Sequence, residues 1–113
     1  MPSWKKLIVS GSDAAIPSVS TAADFTVDAG GDIVLDADGT DVILKDNGTE
    51  FGRFKIASSD FIIKSAINNK DILFKGQDGG STITALQLDM SEGGNAQFLK
   101  NISGSQIEAS GDV

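Results

Sequence analysis

A chain of 113 residues has room for one domain with a modest core, and its 40% apolar content argues against global disorder. Sixteen acids against nine bases give a formal charge of −7, a field that repels a phosphate backbone and, more weakly, an anionic membrane surface. With neither histidine nor cysteine, the commonest general base, the thiolate nucleophile, the usual zinc ligands and any disulfide framework are excluded together.

The N-terminal run "MPSWKKLIVSGSD" has one basic pair, Lys5-Lys6, followed by only three apolar residues. That is too short for the core of a signal peptide, so assembly in a cytosol is expected. No stretch reaches the length of a membrane-spanning helix, and no membrane insertion is expected. Trp4, the only tryptophan, has two readings of equal weight. Large aromatics near a terminus are common at protein contacts, and the ring could equally cap a first strand, "KKLIVS". Residues 1–23 are read as an N-terminal attachment segment, with 24–102 as a β-repeat domain and 103–113 as a C-terminal tail.

From Asp24 onward one short formula recurs: an acid, three mostly apolar residues, a charge. It reads "DFTVD" at Asp24, "DIVLD" at Asp32, "DVILK" at Asp41, "DFIIK" at Asp60 and "DILFK" at Asp71. A degenerate member, "EFGRFKI", begins at Glu50, so that successive units start 8 to 11 residues apart. "TITALQLDM" (Thr82 to Met90) and "NAQFLKNI" (Asn95 to Ile102) follow. Turn clusters separate them: "AGG" at 29–31, "ADGT", "DNGT", "INN", "QDGG" and "EGGN". Asn-Gly, Asp-Gly and Gly-Gly supply the positive φ of tight hairpins. Short β-rich runs at this spacing predict an all-β chain of repeated strands, and no 3.6-residue period supports a long helix. A coarser echo relates residues 24–39 to 60–79 and suggests rungs or hairpins added along an axis, an elongated fibre-like or sandwich-like unit.

Alternation along a strand sets Ile72 and Phe74 on one face and Leu73 on the other with Asp71 and Lys75. The first face is expected to line the interior. The second is apolar at its centre and charged at both ends, through Val34, Ile43, Ile62 and Leu73. Burial of each such side chain is worth about 1.5–3 kcal/mol, so leaving four of them wet forgoes a large part of a domain's net stability. These four are therefore candidate subunit contacts. A monomeric two-sheet sandwich is the competing reading, because it too has strands with three apolar residues in a row.

Chemical motifs fare less well. "DADGTD" (Asp36 to Asp41) resembles part of a calcium loop, but the twelfth position is Asn47 where a glutamate is needed, and an Asp-Gly turn explains it better. "GQDGGS" and "SEGGN" lack the lysine of a phosphate-binding loop. Glu50, Glu92 and Glu108 could furnish carboxylate pairs for glycoside hydrolysis, but no spacing selects a pair. Arg53, between Phe51 and Phe54 in "EFGRF", could stack on a sugar or a partner, although core phenylalanines around a surface arginine are commoner. The Asn-X-Ser/Thr triplets at Asn47 and Asn101 read as chance matches to a glycosylation site in a chain without a secretion signal. No catalytic residue, cofactor or metal is assigned.

Three stretches carry a family likeness. "MPSWKKLIVSGSDA" resembles the N-terminal signature of tail-fibre-like virion structural proteins of marine bacteriophages. "GGDIVLDADGTDVILKDNGTEFGRF" and "KDILFKGQDGGSTITALQLDMSEGGNAQF" resemble the repeated segments of phage fibre proteins. The resemblance runs from Met1 to about Phe98. It implies a non-enzymatic structural protein, an intertwined homotrimer joined to the particle by its N-terminal end, with Trp4, Lys5 and Lys6 as docking residues. It further implies a virion location, assembly in the host cytoplasm, other virion proteins as partners, and a tail-fibre or head-fibre role. The chain departs from the pattern in having no long shaft or receptor-binding head before Val113, which weakens the expectation of host recognition. The alternative is a carbohydrate-binding module at a fibre tip, with Arg53 and the acidic loops meeting a host surface glycan.

Overall fold

The computed structural model describes residues 15–111, and Trp4, Lys5 and Lys6 lie outside them. The chain divides into two compact units, Met1–Val34 and Leu35–Val113. All ladders lie in the second. They form two antiparallel three-stranded sheets, with no helix among the described residues. The first sheet runs β1 (Asp41–Asp46), β2 (Thr49–Ala57), β3 (Asp60–Ser65), and the second β4 (Ile72–Asp78), β5 (Ser81–Asp89), β6 (Asn95–Phe98). Each is a meander in which neighbours in sequence are neighbours in the sheet.

Three of the four hairpins use two-residue loops with positive φ at both positions: Asn47-Gly48, Ser58-Ser59 and Gly79-Gly80. This sense of turn matches the right-handed twist of the paired strands. Asn47-Gly48 and Gly79-Gly80 adopt it at little steric cost, but Ser58 and Ser59 do so at φ of 49° and 68° with a Cβ in the way. Replacing them together, Ser58→Asn with Ser59→Gly, is expected to raise stability by about 1 kcal/mol, read as a higher midpoint in thermal unfolding.

The two sheets repeat each other. In the first, Leu44 faces Gly52 and Lys45 faces Glu50, so Phe51 is an extra residue on β2. In the second, Phe74 faces Leu86 and Lys75 faces Thr84, which makes Ala85 the extra residue on β5. Both bulges fall between the last apolar residue of the formula and its closing lysine. In both, the bulged carbonyl accepts a hydrogen bond from just beyond the third strand: Ala66 N–H to Phe51 O at 3.0 Å, and Leu99 N–H to Ala85 O at 3.2 Å. The opening acid is used alike. Arg53 donates to Asp41 across the first sheet, and Gln87 Nε2 donates to Asp71 Oδ2 at 2.7 Å across the second. In these two copies the acid ties to the central strand and the lysine follows the bulge, whereas Asp60 and Lys64 of the third edge copy pair with β2 in regular register.

Gly52, next to the bulged Phe51 on β2, is the only buried residue among those described. A Cβ there would stand 3.1 Å from the Lys64 carbonyl oxygen, which the β2–β3 ladder holds in place. Gly52→Ala is therefore expected to destabilise the sheet by about 1 kcal/mol, measurable by denaturant titration.

Three expectations change. Residues 24–28 and 32–36 carry the strand formula but belong to no ladder among the described residues, and a strand forms only where a partner completes its backbone hydrogen bonds. The last strand stops at Phe98 rather than Ile102. And the face of Ile72 and Phe74 lines no interior, since no apolar side chain among the described residues is buried. One sheet face needs a second layer to become a core, and the described residues supply none to either sheet.

Candidate functional site

The register sorts each sheet into two unlike faces. In the first sheet Val42, Phe54 and Ile63 are cross-strand partners, and Leu44, Ile56 and Phe61 share their side by alternation. Phe54 and Phe61 stack diagonally, with ring centroids 6.2 Å apart and planes 9° from parallel. In the second sheet Ile72, Leu88 and Ala96 align, as do Phe74, Leu86 and Phe98. A groove of about 640 Å³ opens here over Ile83, Ala85, Phe98 and Leu99. These apolar faces are open. Phe61 is 74% exposed, and Phe54, Ile56, Ile63, Phe74 and Phe98 are each between 41% and 53% exposed.

The opposite faces are polar, and the expected contact residues sit on them. Ile43 is aligned with Arg53 and Lys64, and Ile62 with Lys55. Leu73 is aligned with Gln87 and Gln97, beside the Lys75–Thr84 hydrogen bond of 2.8 Å. Ile43 and Leu73 are 45% exposed, and Ile62 is half-buried. Val34 lies in the first unit, outside any ladder, and is 80% exposed. The structure therefore sets Ile43 and Ile62 on one face, Leu73 on the corresponding face of the other sheet, and Val34 apart. What alternation alone did not reveal is that the flanking residues form the larger open surface. That depends on whether a second layer exists, which no single strand reports.

The strongest polar arrangement lies on the charged face of the first sheet. The Arg53 guanidinium grips Glu50 in a fork, Nε to Oε2 at 3.2 Å and Nη2 to Oε1, and its Nη1 donates to Asp41. Lys55 adds a contact to Asp41 at 3.8 Å. The hydroxyl of Thr40 donates to Asp41 Oδ1 at 2.9 Å. That hydrogen bond above all, with Lys55 and Arg53, holds the Asp41 carboxyl below its ordinary 3.8. The two carboxylates in turn raise the Arg53 pKa, Glu50 first.

A depressed carboxylate stabilises the fold fully above its unfolded pKa and loses that contribution as pH falls through the folded value. Stability is thus expected to drop on acidification below about 3.8. In Asp41→Asn that limb of the pH–stability curve should flatten, as followed by thermal melts between pH 2 and 5. With three of its donors engaged, Arg53 serves as a brace between β1 and β2, and Phe54 lies on the opposite face from it. The proposed sugar platform of a cation beside two aromatics is not assembled with that ring.

Among the described residues, no group of three or more acids is gathered closely enough to hold a metal ion. Asp38 and Gly39 lie in the turn closed by Thr40 N–H to Ala37 O at 3.0 Å. Comparison with protein-family models, with curated proteins and with solved structures gives no match.

Proposed function

We propose that this chain is a self-associating, non-enzymatic structural protein, a phage virion component of the tail-fibre or head-fibre kind whose copies cover one another's open sheets. One observation carries the reading: two sheets with apolar faces and no second layer over either. Eight side chains, Phe54, Ile56, Phe61, Ile63, Ile72, Phe74, Ile83 and Phe98, stand on those faces. Covering each one's open half yields roughly 1 kcal/mol, a total comparable with the net stability of a small domain. Ile43 and Ile62 on the charged face of the first sheet, and Leu73 on that of the second, are the further candidate contacts, narrower and rimmed by charge, with Val34 a separate candidate.

The homotrimer, the virion location and the N-terminal docking through Trp4, Lys5 and Lys6 rest on the family likeness of the sequence. Self-association rests on the faces. Equilibrium sedimentation tests it directly. A mass three times the 11.7 kDa of one chain is expected, and a monomer at micromolar concentration would refute the reading.

A further inference from the structure

Residues 24–28 and 32–36 spell two short strands about a bend at Gly30 and Gly31, and neither belongs to a ladder among the described residues. Phe25 and Val27 alternate with Asp24 and Asp28 in the first, and Ile33 and Leu35 with Asp32, Val34 and Asp36 in the second. Phe25, Val27, Ile33 and Leu35 are each more than half exposed. In β1 and β4 the opening acid of the formula accepts a hydrogen bond from the central strand. Asp24 and Asp32 accept none among the described residues.

The first sheet has the complementary character. Its edge strands β1 and β3 each present a free row of backbone donors and acceptors, apolar side chains on one face, and a lysine on the other. Lys45 and Lys64 form no ion pair among the described residues. The charged face as a whole carries four bases against three acids, whereas residues 15–40 hold five acids and no base. An added strand would meet like with like on one face and opposite charge on the other.

We infer that residues 32–36 of one copy add as a strand to an edge of the β1–β3 sheet in a second copy. Ile33 and Leu35 then extend that sheet's apolar face, and Asp32 and Asp36 lie beside Lys45 or Lys64. Main-chain hydrogen bonds supply affinity and the alternating side chains supply register, as in other cases of strand addition. Val34 joins the line of Ile43 and Ile62. The inference rests on the self-association reading and names its donor and acceptor.

The chain has no cysteine, so introduced thiols report cleanly. A Val34→Cys copy is mixed with a differently tagged copy carrying Ile43→Cys or Ile62→Cys and then oxidised, with Ser91→Cys in the exposed β5–β6 loop as the control. A mixed disulfide well above the control is expected with one of the two edges. In parallel, Ile33→Asp with Leu35→Asp is expected to weaken association at least tenfold while the far-ultraviolet spectrum of the sheets stays unchanged. No cross-link above the control, or an unweakened assembly in the double variant, overturns strand donation and leaves self-association standing. A disulfide formed only within one chain, in Val34→Cys with Ile43→Cys, also overturns it by showing a hairpin closed at home. A monomeric wild type overturns both.

Discussion

Ile63→Asp is expected to take the assembly apart. Ile63 stands on the apolar face, aligned with Phe54 and beside Phe61, and is 51% exposed in the single chain. If a neighbouring copy covers it, a carboxylate at this point is a charge with no cation on its side of the sheet. Removing such a charge from water costs about 3 kcal/mol or more, at least a hundredfold in the association constant. Sedimentation of the variant should give the monomer under conditions where the proposed self-association of the wild type is complete. Ile62→Asp is the informative neighbour. Ile62 lies across from Lys55 on the charged face, where a carboxylate finds a cation, so its effect should be much smaller. If Ile62→Asp dissociates the trimer and Ile63→Asp does not, the two faces exchange roles.

The second large effect is on stability as a function of concentration. A chain whose described apolar residues are all at least partly exposed has little of its own burial to set against the conformational entropy of its strands, roughly 1–2 kcal/mol per residue. Its thermal midpoint should then rise with protein concentration, as linkage requires when association stabilises the folded state. Melts over a hundredfold dilution series test this. A midpoint that stays constant through the series would mean that the single chain holds its own fold.

The strands from Asp41 onward were readable because two local signals agree there. Alternation marks β1, β3 and β4, and Asn-Gly and Gly-Gly mark two of the turns. Ser58-Ser59 was not readable, since serine gives only a weak turn signal and its positive φ is imposed by the strands on either side. Residues 24–36 mislead for a different reason. Their formula states that they can be a strand, but pairing needs a neighbour, which the formula does not supply. The repeat itself was only half visible. The sequence echo links residues 24–39 to 60–79, whereas the structural repeat links β1–β3 to β4–β6, because bulge positions and the Asp41–Arg53 and Asp71–Gln87 ties lie across strands and leave no mark along one. As for the candidate surface, its residues were legible and the allocation of faces was not. The alternation correctly separates Ile72 and Phe74 from Leu73, but whether a face is covered depends on the number of layers.

The two-residue loops also bear on kinetics. Every ladder joins segments adjacent in the chain, so hairpin closure belongs to the microsecond range and long loops need not be closed first. The slow event should then be bimolecular, its rate rising in proportion to chain concentration, while the early spectroscopic change does not depend on it. During that interval each newly made sheet shows bare edges and bare phenylalanines to every other chain nearby. Crowded synthesis would therefore favour tangles as well as correct partners, and the surplus of acid side chains, by mutual repulsion, would slow chance encounters between copies.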